Sequence, residues 1–175
     1  MTITDLTSMG EPQADVRAEI NERLKRLQHH ASDYCYQCAK CTSGCEAHKL
    51  LELEPHKIVA LLKRGHITEL TNNDVIWTCM TCLKCRERCP QQVAPVEILF
   101  AAKNLAVQNG KELPGKYTAM LQSILGTGLL QEIQTVTTTK NTTTTRDQLC
   151  LPPLSLPTDI TKFQASIMAI AMQKP

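Results

Sequence analysis

The feature that most constrains this chain is a cysteine pattern that occurs twice. The sequence CYQCAKCTSGC spans residues 35–45, and CMTCLKCRERC spans residues 79–89. Both follow the spacing C-x2-C-x2-C-x3-C, and equivalent cysteines are 44 residues apart. The chain therefore contains an internal repeat in which each copy supplies four thiols.

This spacing is typical of the ligands of cubane [4Fe–4S] clusters. Three cysteines close together can wrap around one face of the cube, and the fourth iron then needs a cysteine from elsewhere. In two-cluster ferredoxins, the last cysteine of each run binds the other cluster. The sequence thus predicts two [4Fe–4S] clusters with crossed ligands: Cys35, Cys38, Cys41 and Cys89 for cluster 1, and Cys79, Cys82, Cys85 and Cys45 for cluster 2.

Zinc and disulfides are the alternative uses of so many cysteines. Structural zinc usually takes separated C-x2-C pairs, and disulfides belong to oxidising compartments. The first sixteen residues carry no Lys or Arg, and no apolar segment follows them. We therefore expect no secretory signal peptide, a cytoplasmic chain, and iron–sulfur ligation in preference to zinc or disulfides.

Charge and composition exclude several other functions. Among 175 residues, 19 Lys and Arg face 17 Asp and Glu, which gives a net charge of +2 and argues against a nucleic-acid partner. Polar residues interrupt the apolar stretches at 96–107 and 117–130, so we expect no direct membrane insertion. Aromatic residues make up only 3%, which predicts that something besides side-chain packing organises part of the fold.

Hydrophobic periodicity and turn residues predict an all-α fold. Helical spacing covers residues 14–30, Pro55 begins a helix that Gly65 ends, and Pro95 begins another that stops near Gly110. A further helix is predicted over 114–125, Asn73 or Asp74 is expected to cap a short turn, and no segment alternates as a strand does. These elements predict an α-helical ferredoxin-like domain around the two clusters.

The predicted organisation has three parts. Residues 1–13 form an N-terminal tail, and residues 14–134 form the two-cluster domain. Residues 135–175 form an extended arm: a linker in which eight of eleven residues are Thr, a Leu/Pro-rich stretch, and a short helix capped by Asp159 or Thr161. Cys150, the ninth cysteine, is expected to be a buried free thiol.

Several segments together resemble one family, the C subunits of heterodisulfide reductase. They are CYQCAKCTSGC at 35–45, PHKIVALLKRG at 55–65, IWTCMTCLKCRERCP at 76–90, VAPVEILFAAKNLAVQNG at 93–110, and the Leu/Pro segment near 149–157. The resemblance covers roughly residues 14–175, and the Thr-rich stretch departs from it.

The resemblance implies a noncatalytic electron-relay subunit of a cytoplasmic oxidoreductase that does not depend on dihydromethanophenazine. Electrons would come from a flavin-containing, bifurcating A subunit. They would pass through two [4Fe–4S] clusters to a catalytic B subunit, which reduces the CoM-S-S-CoB heterodisulfide in methanogenesis. A hydrogenase or formate dehydrogenase would supply electrons upstream.

The residues agree with a relay but leave other contexts open. The sequence contains no G-x-G-x-x-G or P-loop, and its five histidines lack paired ligand spacing. Lys40 and Lys84 occupy equivalent places in the two runs, where a positive charge would raise a cluster's potential. The alternatives are a relay in sulfur metabolism, a respiratory iron–sulfur subunit such as that of succinate or fumarate reductase, and a zinc-stabilised module.

Overall fold

The fold is that of a computed structural model, which describes residues 10–131, 133 and 135–172. Residues 1–9 of the predicted tail lie outside the described residues. The chain divides into two compact units, one ending at Glu112 and the other beginning at Leu113. The boundary predicted at residue 135 remains a prediction, and the two units are described separately below.

The first unit is built from helices, as predicted. The helix predicted over 14–30 ends at Arg26, because Gln28 adopts a left-handed conformation (φ 61°) and the His29 N–H bonds back to the Leu24 carbonyl. The α-helices of this unit are α1 Ala14–Arg26, α2 Lys40–Ser43, α3 Glu46–Leu51, α4 Pro55–Arg64, α5 Ile67–Asn72, α6 Lys84–Glu87 and α7 Pro95–Gln108. Two 3-10 turns, Ser32–Tyr34 and Asp74–Thr78, lead into the cysteine runs.

The predicted ends of α4 are confirmed. Pro55 occupies the first turn, where its missing N–H costs no hydrogen bond, and Gly65 follows the last turn with φ 83°. The carbonyl of Gly65 also accepts a hydrogen bond from the Gln13 N–H at 2.8 Å, which anchors the chain before α1. The prediction for the second 3-10 turn holds as well, because the Asn73 side chain accepts the Val75 N–H.

The core of the first unit lies where α1, α4 and α5 pack against α7. The short α3 and α5 were not predicted, because six residues give too little periodicity. Both α4 and α7 bury most of their apolar side chains, and the two helices pack against each other. The large side chains less than 2% exposed in this core include Leu24, Ile58, Val59, Leu62, Leu70, Val96, Ile98 and Leu99.

The second unit contains two helices and a small hairpin. The helices are α8 Gly115–Thr127 and α9 Ile160–Met172. The strands β1 Val136–Thr137 and β2 Thr143–Thr144 pair antiparallel, with Val136 opposite Thr144. The expectation of no strand is thus wrong for the Thr-rich stretch, because β-branched threonines favour extended backbone.

The arm differs from its prediction in two further ways. Helix α9 has 13 residues, so it is longer than predicted, and Asp159 accepts the Lys162 N–H as its N-cap. Cys150 is exposed, so the prediction of a buried thiol is wrong. It ends an exposed turn with φ 51°, in which its N–H bonds to the Asp147 carbonyl.

Candidate metal centres

The two cysteine loops share an unusual backbone. Gln37 and Ala39 in the first run have φ values of 56° and 57°, and their repeat equivalents Thr81 and Leu83 have values of 55° and 61°. Left-handed conformations are rare for residues other than glycine, and they let successive backbone N–H groups curve around a concavity. Such concavities occur at many Fe–S sites. The repeat seen in the sequence is therefore a repeat of backbone geometry.

Each loop lines a cavity together with one cysteine from the other run. Cys45 joins the second-run cysteines, and Cys89 joins the first-run cysteines. The eight predicted ligands are thus brought together in two groups of four: Cys35, Cys38, Cys41 and Cys89 line one cavity, and Cys79, Cys82, Cys85 and Cys45 line the other. We call them cavity 1 and cavity 2.

The helices that follow the two runs, α4 and α7, also line the cavities in a crossed arrangement. Cavity 2 is lined by the first residue of α4, Pro55, and by Val96 and Leu99 of α7. Cavity 1 is lined by the first residue of α7, Pro95, and by residues 56 and 59 of α4. The halves are therefore related by an approximate twofold exchange that continues beyond the cysteines. Equivalent residues are 44 positions apart in the cysteine runs and 40 positions apart in these helices.

The third cysteine of each run is the most protected. Cys41 and Cys85 are buried, whereas Cys38 and Cys82 are exposed. Burial raises the pKa of the Cys41 thiol to about 11 and that of the Cys85 thiol to about 12. Both cavities therefore have an apolar floor and an open side formed by the second cysteine of the run.

Hydrogen bonds reach two of the sulfurs of cavity 1. The Gln37 Nε2 donates to Cys35 Sγ at 3.2 Å, and the Val93 backbone N–H donates to Cys89 Sγ at 3.3 Å. Hydrogen bonds to ligand sulfur stabilise its negative charge and tune the metal group that it holds.

A pair of opposite charges borders cavity 2. Glu46 and Lys84 both line this cavity, and Lys84 Nζ lies 2.8 Å from Glu46 Oε1. The bond from Lys84 holds the pKa of the Glu46 carboxyl below its usual range. The sequence indicates Lys84 by its equivalence to Lys40, but it gives no sign of the pairing with Glu46.

His56 is a site residue that sequence reasoning missed. It lines cavity 1, and its Nδ1 lies 2.7 Å from the Thr42 hydroxyl oxygen. Burial lowers the pKa of this imidazole, which favours its neutral form. A signal was present, because PHKIV at 55–59 aligns with PVEIL at 95–99 and places His56 opposite Val96.

The donor chemistry fits a [4Fe–4S] cluster at each cavity. Each cavity has four cysteine sulfurs around it, apolar side chains beneath it, and the loop geometry described above. Within residues 10–131, 133 and 135–172, no three His, Cys, Asp or Glu side chains converge closely enough to hold a single metal ion. No helix in this part of the chain is both long enough and apolar enough to cross a membrane.

Comparisons with known proteins agree with this site. Residues 34–94 match the family described as 4Fe-4S dicluster domain. The chain is 28% identical over 116 residues to the C subunit of the H(2):CoB-CoM heterodisulfide,ferredoxin reductase of Methanothermobacter thermautotrophicus, covering 66% of this chain and 62% of that protein. It is 38% identical over 87 residues to the C2 subunit of the H(2)/formate:CoB-CoM heterodisulfide,ferredoxin reductase of Methanococcus maripaludis, covering 49% and 47%.

The name of a third relative specifies ferredoxin in place of H(2) or H(2)/formate. The C subunit of the Ferredoxin:CoB-CoM heterodisulfide reductase of Methanosarcina acetivorans is 32% identical over 100 residues, covering 57% of this chain and 40% of that protein. The chain therefore spans at most about three-fifths of the length of these relatives.

The fold and site define a class of protein, a mostly helical iron–sulfur protein with two [4Fe–4S] clusters, and residues 34–94 are similar to a dicluster domain. Within that class, the chain is a relative of the C subunits of heterodisulfide reductases. The resemblance predicted from the sequence motifs and the prediction of two [4Fe–4S] clusters are thus confirmed.

Proposed function

We propose that this chain is a noncatalytic electron-relay subunit of a heterodisulfide reductase complex. The observation that carries the proposal is the gathering of eight cysteines into two groups of four, each with three cysteines from one run and one from the other. When bound, two [4Fe–4S] clusters supply two one-electron carriers. The chain's own part is to hold these carriers at a fixed distance from each other and to cover one side of each with apolar side chains.

In this proposal, Cys35, Cys38, Cys41 and Cys89 hold cluster 1, and Cys79, Cys82, Cys85 and Cys45 hold cluster 2. The support is that the two sets line separate cavities and that the fourth cysteine in each case comes from the other run. Every iron then has a cysteine ligand, which leaves no iron free for substrate. This is the reason for assigning a relay rather than a catalytic role.

The proposed partners follow from the family. A flavin-containing, bifurcating A subunit would give electrons to this chain, and a catalytic B subunit would use them to reduce CoM-S-S-CoB in the cytoplasm. A hydrogenase or formate dehydrogenase would be the upstream source. The support is in the names of the relatives from Methanothermobacter and Methanococcus, which specify H(2) or H(2)/formate and the CoB-CoM heterodisulfide.

Anaerobic purification of the native complex through this chain tests the proposal. We expect a large flavoprotein and a cysteine-rich catalytic subunit to co-purify, and the complex to reduce CoM-S-S-CoB. A complex with the same two clusters but no activity on this disulfide would overturn the substrate assignment. Recovery of dehydrogenase subunits instead would point to a respiratory iron–sulfur protein.

A further inference from the structure

The twofold exchange between the halves of the dicluster domain makes their few differences easy to identify. Each residue lining one cavity, except Lys84, has a counterpart lining the other, displaced by 44 residues in the cysteine runs and by 40 residues in the helices that follow. A charge or hydrogen bond present on only one side will affect the two clusters unequally.

The first difference is a carboxylate. Glu46 lines cavity 2, and its counterpart at cavity 1 is Pro90. Among the residues that line the two cavities, Glu46 is the only one with a carboxyl group. Its partner Lys84 also lines cavity 2, whereas the equivalent lysine of the other run, Lys40, does not line cavity 1.

A second lysine also contacts this carboxylate. Lys49 Nζ lies 3.1 Å from Glu46 Oε2, on the exposed side of α3. Lys49 does not line cavity 2, whereas Glu46 does. Glu46 therefore offsets the positive charge that Lys84 brings to the wall of cavity 2, and Lys49 lies outside that wall.

The second difference is a hydrogen bond on the other side. Gln37 Nε2 donates to Cys35 Sγ at 3.2 Å, whereas the counterpart of Gln37 is Thr81, whose side chain has no amide N–H. Both residues share the same left-handed backbone, so the difference is in the side chain alone. Cavity 1 therefore has a sulfur-directed donor that the repeat does not provide at cavity 2.

Both differences keep the reduction potential of cluster 2 below that of cluster 1. Reduction adds negative charge to an iron–sulfur cluster, so a nearby carboxylate disfavours it and an N–H donated to ligand sulfur favours it. Resting on the ligand assignment proposed above, we propose that the two clusters are unequal because Gln37 raises the potential of cluster 1, whereas Glu46 cancels the effect of Lys84 on cluster 2. Cluster 2 has the lower reduction potential, and electrons pass from cluster 2 to cluster 1.

Anaerobic redox titration of the full chain, followed by electron paramagnetic resonance, tests this inference. We expect two midpoint potentials in the wild type, the lower one belonging to cluster 2. The signal perturbed in Cys82→Ser identifies cluster 2, because every ligand scheme places Cys82 with the second run. Glu46→Gln should raise only that potential, by a three- to tenfold change in the reduction equilibrium, or about 30–60 mV.

Two further variants provide the opposite case and the control. Gln37→Met, which keeps the length of the side chain but removes the N–H, should lower only the potential of cluster 1. Glu22→Gln removes an exposed carboxylate that pairs with Lys25 and Arg26 on α1 and lines neither cavity, so it should shift neither potential.

Iron content separates the two ways in which this inference can fail. A wild-type chain without about eight iron atoms would overturn the proposed two-cluster relay itself. Full iron content with unshifted potentials in Glu46→Gln and Gln37→Met, or a wild-type cluster 2 with the higher potential, would overturn the inference alone. If Glu46→Gln does not fold, the potential of cluster 1 in Gln37→Met and the order of the two wild-type potentials still test the inference.

Discussion

At the scale of single residues, the cysteine loops combine ordinary ligands with a costly backbone. Gln37, Ala39, Thr81 and Leu83 all have positive φ, a conformation that costs about 1–2 kcal/mol for residues with a Cβ. Such strain persists only where the surroundings over-determine it, and here it recurs at equivalent places beside the predicted ligands. The strain therefore indicates that each loop is shaped for what it surrounds.

Cys150 gives a prediction at the same scale. Cys150 is exposed, and it is the one cysteine outside the proposed set of eight ligands. We expect an anaerobic chain with both clusters in place to take up about one equivalent of a maleimide, because only a free thiol reacts readily.

Peptide mapping should place that label on Cys150, and Cys150→Ser should abolish the uptake. Two or more equivalents, with the iron content unchanged, would contradict the assignment of all eight remaining cysteines as ligands.

At the scale of elements, α4 and α7 position both sites. Each helix begins with a proline beside one cavity and lines the other with its first turns, so the packing of α4 on α7 fixes the two cavities together. The runs also meet directly, since Gly44 lies so close to its repeat equivalent Arg88 that a side chain at position 44 would displace it.

The end of α4 yields a stability prediction with a matched control. Gly65 and Gly110 have nearly equal φ values, 83° and 82°. A Cβ at Gly65 would lie 3.1 Å from Pro12 Cβ and 3.2 Å from Gln13 N, whereas one at Gly110 would meet nothing within 4 Å.

Gly110→Ala should therefore lower the free energy of unfolding by only the backbone cost, about 1 kcal/mol, and Gly65→Ala by more, about 2 kcal/mol. Anaerobic urea unfolding of both variants measures the difference. Equal losses would show that the contact of Gly65 with residues 12 and 13 has no energetic role.

Sequence patterns predict these elements unequally. The bounds of α4 follow from Pro55 and Gly65, and the crossed grouping of cysteines follows from their spacing together with the ligand exchange of two-cluster ferredoxins. By contrast, α3 and α5 are too short to give a periodic signal, and the β1–β2 hairpin depends on pairing between residues that look like a linker. Contacts such as Glu46–Lys84 depend on how two distant loops meet, which no local pattern records.

At the scale of the whole molecule, all eight predicted ligands lie in the unit that ends at Glu112. The residues lining both cavities lie there as well. The unit beginning at Leu113 contains α8, the hairpin and α9, and its helix α8 has no buried residue. The predicted ligands and the second unit are thus separate in sequence.

We expect a chain truncated after Glu112 to retain about eight iron and eight sulfide per chain, because no ligand is removed. Iron and acid-labile sulfide assays on anaerobically purified protein, with the full chain as control, measure this. A truncated chain that folds but has lost half or more of its iron would show that residues beyond 112 are needed to hold the clusters.

The crossed ligation is the central claim, and one paired comparison tests it most directly. In Cys45→Ala and Cys89→Ala, electron paramagnetic resonance of the reduced, anaerobic chain shows which cluster is damaged, with Cys82→Ser marking cluster 2 and Cys38→Ser marking cluster 1. We predict that Cys45→Ala damages the cluster marked by Cys82→Ser, and Cys89→Ala the one marked by Cys38→Ser. Damage to the cluster of each variant's own run would contradict the account.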